Sequence, residues 1–412
     1  MMTKKTRINI NTNFQVYFET FTSFFKMNLH DKVNEFYLRF AEFINTKNII
    51  LTSQGRVAAY NIFKFLISKE KDEFIISPYT LTEVINAINY AGGKVRYIDI
   101  DIKTGLPDEI QLDRVISDKT AGIIITHLYS NDDDINNFKR KYYGKIKIIE
   151  DTAINFGAKV SSGEYLGTLF DYGFYSFGVM KSLCTFNGGI IFAKDNNELL
   201  KIENQMSSDI NYPKSKSIKL VFFTLMINII YNKYVFYFTS YYLLKIARYF
   251  NNSFVEKIIY PGVYPVINRY KPQNYNYRFC SNFSYAGIIN LKLSKDRHEK
   301  RIKNVKIYER EINQNLKVFN GKNYEINSFL EYPILLKKNT NKIMSKILFE
   351  KGYDVRHTWY VNSANFKKFD YLENEFPNSQ KLQDHILSLP TNNYFMERDI
   401  IEICNMINKY EA

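Results

Sequence analysis

Residues 145–153 read KIKIIEDTA and residues 170–181 read FDYGFYSFGVMK, followed at 187–193 by NGGIIFA. The first run is β-branched and apolar up to Glu150 and Asp151, which predicts a buried strand delivering acid at its C-terminal tip. The second alternates aromatic and small residues up to a single lysine, Lys181, and the Gly-Gly pair opens a new apolar strand. A lysine between an aromatic strand and a Gly-Gly pair is an odd place for a solvated charge. Side chains alternate along a strand, so Glu150 and Asp151 face opposite ways and Glu150 reads as structural. A carboxylate at one strand tip and an amine at another suit a cofactor that needs an anionic partner for a ring nitrogen and an amine for a Schiff base.

Toward the N-terminus the same rhythm continues. NIILTS (48–53) predicts a strand and QGRVAAYNIFKFLI (54–67) a helix, so Ser53, Gly55 and Arg56 sit at a helix N-terminus, where unpaired N–H groups favour an anion. FIISPYT, LTEVINAINYA with its Gly92-Gly93 stop, KVRYIDID, AGIIITHLYS and INNFKRKYYG then alternate strand and helix up to KIKIIEDTA. Strands alternating with helices mean a mostly parallel sheet with ligands at the strands' carboxyl ends, where Tyr79, His127 and Asp151 fall.

Composition sets bounds. The chain of 412 residues, 45% hydrophobic and 24% charged, supports one large domain and a smaller one. Its net charge of +14 comes from lysines spread along the whole chain. Without a recognition helix, zinc spacing or basic block, that surplus reads as a solvated surface attractive to anionic substrates, not as a nucleic-acid site. Cys184, Cys280 and Cys404 lack CxxC spacing, which points to a reducing, cytoplasmic setting and no metal site. The N-terminal MMTKKTRINI has no apolar signal core.

Residues 1–47 read as a helical packing arm, 48–212 as the large α/β domain, 213–268 as an apolar helical insertion and 269–412 as a connecting helix with a small α+β domain. Within the insertion, Asn228, Asn232 and Lys233 interrupt the apolar run. Three readings stand for 218–250: a helical pair buried in a subunit or domain interface, a membrane-surface element peripheral to the inner membrane, or a true span. A soluble-type core around it supports the first.

The succession TSQGR, SPYT, GGKVRYIDID, HLYS, IIEDTA, SF…K and NGG resembles the DegT/StrS family of pyridoxal-phosphate-dependent nucleotide-sugar aminotransferases. That family shows an SGT or SGR turn, PSYTF, HLYG, IEDAAQAHG, SFxxTK and EGG. NYRF at 276–279 resembles the family's NYRM, and YPILL, GYDVRHTWY and FPNSQKLQDHILSLPTN resemble its small-domain signatures. The resemblance implies the fold type I architecture, a large domain with a mostly parallel mixed sheet flanked by helices plus a small C-terminal α+β domain. It implies pyridoxal 5'-phosphate, with Lys181 as the Schiff-base lysine and Asp151 against the pyridine nitrogen. Ser53, Gly55, Arg56 and Ser176 would surround the phosphate, and Tyr79 and Thr80 would line the ring pocket. Asn276 would reach the phosphate of a neighbouring subunit, making a homodimer with shared sites. His127, Arg356, His357 and Trp359 would face substrate, with a satisfied core histidine the alternative for His127 and Arg356 suiting a donor carboxylate or a nucleotide phosphate.

The departures are specific. Ile154 stands where the family has a Gln contacting the cofactor's phenolic oxygen, and Leu81 where an aromatic stacks on the ring. Met180 replaces the Thr before the lysine. Sugar-dehydrating relatives carry His at the lysine position, so Lys181 favours aminotransfer. The resulting expectation is transfer of an amino group from L-glutamate to a nucleotide-linked keto-sugar, for surface polysaccharide or modified-sugar biosynthesis. The alternatives are a dehydratase on the same cofactor or a catalytically lapsed regulatory or scaffold homologue.

Overall fold

A computed structural model describes residues 4–249, 270–366 and 376–412. The remainder of the 213–268 insertion beyond 249 lies outside the described residues. Eight strands arise in the first half: β1 (Ile49–Thr52), β2 (Glu73–Ile76), β3 (Tyr79–Thr80), β4 (Lys94–Tyr97), β5 (Thr120–Thr126), β6 (Ile148–Asp151), β7 (Tyr172–Ser176) and β8 (Gly189–Ala193). Seven of them form one sheet in the order β1-β8-β7-β6-β5-β2-β4. From β4 through β7 neighbouring strands run parallel, while β8 is antiparallel to both β7 and β1. This is the mostly parallel mixed sheet that the alternating rhythm predicts, and helices cover it because strands such as β5 and β8 are apolar and buried on both faces.

Local chemistry sets the element ends. Helix Thr82–Ala91 stops at Gly92, whose φ of 92° is the left-handed conformation that a glycine adopts without strain. Helix Asp132–Tyr142 starts with a reciprocal capping box between Asn131 and Asp134. The connecting helix expected at the start of 269–412 is two helices, Ser284–Lys292 and Ser294–Glu311. At the join, Ser294 Oγ donates to the Leu291 carbonyl (2.6 Å), a local bond that competes with the helical ladder.

One face of the sheet packs on helices Gly55–Leu66 and Thr82–Ala91 through Phe63, Phe74 and Ile85. The two N-terminal helices, Phe14–Ser23 and His30–Phe43, bring Phe36 and Phe40 against Tyr175 and Phe177. Both phenylalanines are fully buried, worth about 1.5–3 kcal/mol each. Ahead of these helices, residues 5–10 are tied to the C-terminal part: Lys5 N donates to the Gly352 carbonyl and Asp354 N to that of Lys5. The sequence reading gave an arm but not this destination.

The C-terminal part pairs β9 (Glu331–Leu335) with β11 (Ile386–Pro390), and β10 (Val361–Asn362) pairs with β3. That short β3–β10 ribbon fastens the segment carrying Arg356 and Trp359 to the strand next to Leu81. The insertion forms two helices, Lys214–Ile230 and Lys233–Tyr249, bent by 51° at their break. Among the described residues no single helix is long and apolar enough to cross a membrane. Nor is the pair buried within the chain, since its outer side chains are exposed.

Candidate active site

β6 and β7 lie side by side, with Asp151 opposite Phe174. Beyond their carboxyl ends, against the start of helix Gly55–Leu66, opens a cleft of about 210 Å³. Gly55, Arg56, Leu81, Asp151, Ser176 and Lys181 all line it, residues spread over more than a hundred positions of chain. The lysine and the carboxylate that frame the sequence argument therefore share one cleft.

The two acids of β6 divide their work. Glu150 accepts hydrogen bonds from the backbone N–H groups of Gly167 (2.7 Å), Leu169 (2.8 Å) and Phe170 (3.0 Å), and His127 Nε2 donates to it at 2.9 Å. It fastens the 167–170 loop to the sheet, a close approach that needs Gly173, where a Cβ would lie 2.0 Å from the Gly167 carbonyl oxygen. Asp151, equally buried, accepts one bond, from Ala153 N (3.0 Å). Burial raises its pKa above the ordinary carboxylate value, opposed by the Ala153 N–H and the charges of Lys181 and His127. A buried carboxylate with spare acceptor capacity is ready for a protonated partner.

Lys181 is partly buried. Desolvation pushes its pKa down to about 8, opposed by Asp151 and, more weakly, Glu83, and assisted by Arg356. Its Nζ lies 5.9 Å from the centroid of Trp359, whose ring also carries the Arg356 guanidinium at 3.8 Å. A fraction of neutral amine is thus present near neutral pH, which an ordinary lysine lacks.

At the other end of the cleft is an anion cradle. Helix Gly55–Leu66 has no side-chain cap, because the Gln54 side chain is engaged by Arg56 Nε. A Cβ on Gly55 would lie 2.6 Å from Ser176 Cβ, and one on Gly189 would lie 2.7 Å from Gly55 N. These two glycines let the helix start pack closely on β7 and β8, so that Gly55 and Arg56 line the cleft beside Ser176. Just behind, Ser53 Oγ is buried and unpartnered. A carboxylate, an amine of lowered pKa and an uncapped helix start fit pyridoxal phosphate: ring nitrogen, aldehyde and phosphate respectively.

Not every expected residue lines this cleft. Tyr79 is fully buried, its hydroxyl 3.1 Å from Thr358 Oγ1, and with Ile154 and Trp359 it lines a separate cavity of about 40 Å³. Thr80 is buried on the β3–β10 ribbon. His127 sits at the tip of β5, but its ring is buried against Glu150, which corrects its placement at substrate. Arg356 is buried with Nε 3.1 Å from Glu331 Oε2, so its charge is engaged within the chain. His357 is absent from the cleft lining, and burial with nearby Arg7 and Lys342 lowers its pKa to about 3. Asn276 is exposed, its Oδ1 accepting from Lys271 Nζ (2.8 Å). Leu81 does line the cleft, as the residue before helix Thr82–Ala91.

The cleft is also lined by Glu83, Val84, Ala153, Phe174 and Asn187, none of them among the expected site residues, and two of these are polar. Glu83 looks like an ordinary acid in a helix's first turn, and Asn187 was noted only as the first residue of NGG. Their signal was adjacency to Leu81 and to Gly188-Gly189.

Sheet order, cleft position and the Asp151–Lys181 pair define a pyridoxal-phosphate enzyme of fold type I. The sequence model of the DegT/DnrJ/EryC1/StrS aminotransferase family matches residues 11–214 and 256–408, and the chain belongs to that family. GDP-perosamine synthase of Escherichia coli O157:H7 is 30% identical over 164 residues, 40% of this chain and 45% of that protein. GDP-4-keto-6-deoxy-D-mannose 3-dehydratase of Yersinia pseudotuberculosis is 27% identical over 172 residues, 40% of this chain and 44% of that protein. Each match thus spans less than half of the relative's length. In fold, the chain is similar to Helicobacter pylori PseC, an aminotransferase involved in pseudoaminic acid biosynthesis (TM-score 0.70, 14% identity, 100% of this chain and 98% of that one). A Streptococcus pneumoniae neighbour, Spr1654, was solved in its PMP form (TM-score 0.71, 15% identity, 98% of this chain and 96% of that one).

Proposed function

We propose that this protein moves an amino group from L-glutamate to the keto carbon of a nucleotide-linked sugar, as a homodimer, in surface polysaccharide or modified-sugar biosynthesis. The observation that carries the reading is the shared cleft of Asp151 and Lys181, with an anion cradle at its far end. When bound, pyridoxal phosphate supplies an aldehyde for covalent capture and a ring that withdraws electrons.

The chain's own groups supply the rest. Gly55, Arg56 and Ser176 bind the phosphate and fix the ring's position in the cleft. Asp151 keeps a proton on the ring nitrogen, since a buried carboxylate is best neutralised by a cation beside it. Lys181 acts first as the amine that takes up the cofactor. Released from it, Lys181 carries the proton removed from the donor's α-carbon and returns one to the sugar carbon in the second half-reaction. Its pKa near 8 suits both directions. Trp359 holds the amine on one side, and Arg356 acts through Trp359 while bound to Glu331. Leu81 gives the ring an apolar contact without aromatic stacking. Asn276, exposed at the surface, supports the shared-site dimer carried over from the family resemblance.

The match to a dehydratase favours a second reading, which Lys181 opposes. With cofactor-loaded protein, glutamate and a nucleotide-linked 4-keto-sugar, stoichiometric 2-oxoglutarate release with an aminated product is expected. Water loss from the sugar without glutamate consumption selects the dehydratase. Borohydride should fix the cofactor on Lys181, and failure to do so rejects amino transfer through that lysine.

A further inference from the structure

The helix pair Lys214–Ile230 and Lys233–Tyr249 lies almost wholly outside what the family shares, since the family match stops at 214 and resumes at 256. It is apolar on both sides, burying Val221, Phe236 and Tyr241 against the protein and keeping a second apolar face outward. Toward the protein the first helix presents Ser217, Val221 and Thr224, all buried, and Asn228, whose Nδ2 donates to Thr12 Oγ1 (3.4 Å). Toward solvent it presents Phe222, Phe223, Met226, Ile229 and Ile230, each between 40% and 56% exposed. A helix on a water-facing surface places its apolar stripe inward. The second helix buries Phe236 and Tyr241 and still presents Tyr234, Phe238, Tyr242, Ile246 and Tyr249 outward, each between 47% and 83% exposed. The patch continues onto the N-terminal helix, where Phe21 meets Phe222 edge-on at 5.0 Å and the rings of exposed Phe14 and Phe18 stack at 6.3 Å.

Charge selects the occupant. Residues 210–249 hold five Lys, one Arg and no Asp or Glu. Exposed Lys219 and Lys233 bracket the first apolar stripe. A second copy docking through a two-fold axis would set this patch against itself, cation facing cation. Anionic lipid headgroups have the opposite sign, and the tyrosines suit a surface that is apolar below and wet above. The first helix, 17 residues long, measures roughly 25 Å, short of the ~20 residues a span requires. Its inner face also stays bonded to the protein.

We propose that this outward face docks on an anionic bilayer surface. The helices lie in the headgroup plane, Phe222, Phe223, Met226 and Ile229 enter the acyl boundary, and Lys219 and Lys233 meet lipid phosphates. The inference stands apart from the amino-transfer reading and needs no catalytic assay. Full-length protein is floated with vesicles of phosphatidylcholine alone and of phosphatidylcholine with phosphatidylglycerol. Binding to the anionic vesicles, weaker on the neutral ones and weakened by salt, is the expected result. Phe223→Glu with Ile229→Glu should lose about ten-fold or more of that binding at unchanged melting temperature and oligomeric state. Lys219→Glu with Lys233→Glu should remove the preference for anionic lipid. No flotation with either vesicle overturns the proposal. So does dissociation of the lipid-free oligomer by the Phe223/Ile229 pair, which would make the face a contact between copies, and so does resistance to alkaline carbonate, which would make it a span.

Discussion

The cleft beneath Lys181 and the outer helix pair break opposite rules of placement. In the cleft, a carboxylate and an amine are withdrawn from water, and Asp151 is left with one hydrogen bond. On the helix pair, Phe222, Phe223, Ile229 and Phe238 face solvent although Val221 and Phe236 already fill the protein-facing side. Each arrangement is costly for the isolated chain and favourable once something binds: a charged ring in one case, a lipid surface in the other. Residues set against their ordinary preference are therefore the guide to both surfaces.

The sharpest way to break the comparison is Lys181→Ala. If the amine moves the proton, turnover should fall by about 10²–10⁴-fold while cofactor phosphate still binds, checked by single-turnover kinetics and equilibrium dialysis. Asp151→Asn keeps shape and removes charge, and a loss of about 10²-fold in turnover is expected. A rate unchanged by Asp151→Asn would leave its burial without a catalytic reason.

The pH response sharpens the cleft side further. Covalent uptake of pyridoxal phosphate by Lys181 should climb as pH rises through about 8, well below an ordinary lysine's 10.5. The same shift works on stability. Between those values the unfolded lysine binds more protons than the folded one, so the cofactor-free protein gains stability as pH rises across that window. Lys181→Met should flatten the gain in denaturant titrations at several pH values.

The smallest effects test the helix pair. Val221→Ala, on the inner face, should cost about 1 kcal/mol of unfolding free energy in urea melts. Phe223→Ser, two residues on and facing outward, should stay within about 0.5 kcal/mol of wild type. Equal losses would mean the outer face is covered by protein.

Much of the fold was legible because periodicity is local. The apolar runs at 49–52, 121–126 and 148–151 read as strands wherever the chain then goes, and the opposite roles of Glu150 and Asp151 follow from two-residue alternation. Lys181 was legible from its flanks. What escaped depends on contacts between distant positions: His127 turned to Glu150, Arg356 held by Glu331, Tyr79 sealed against Thr358. No spacing encodes which partner a buried group finds across 279 residues, as Tyr79 and Thr358 do. The helix pair was only partly legible for a related reason. Hydropathy reports how apolar a segment is, not which side faces in. Ser217, Thr224 and Asn228, recurring at helical spacing around Val221, mark the inner face of the first helix.

The N-terminal strap has a practical consequence. After pairing with Gly352 and Asp354 it passes the lysine loop, where Asn11 Nδ2 donates to the Lys181 carbonyl (3.1 Å), and Thr12 then meets Asn228 of the outer helices. One short lanyard thus ties the C-terminal lobe, the reactive lysine and the lipid-facing helices together. Trimming the first dozen residues for crystallisation, or crowding them with a purification tag, would disturb all three at once, and a dead preparation so made would say nothing about the enzyme itself.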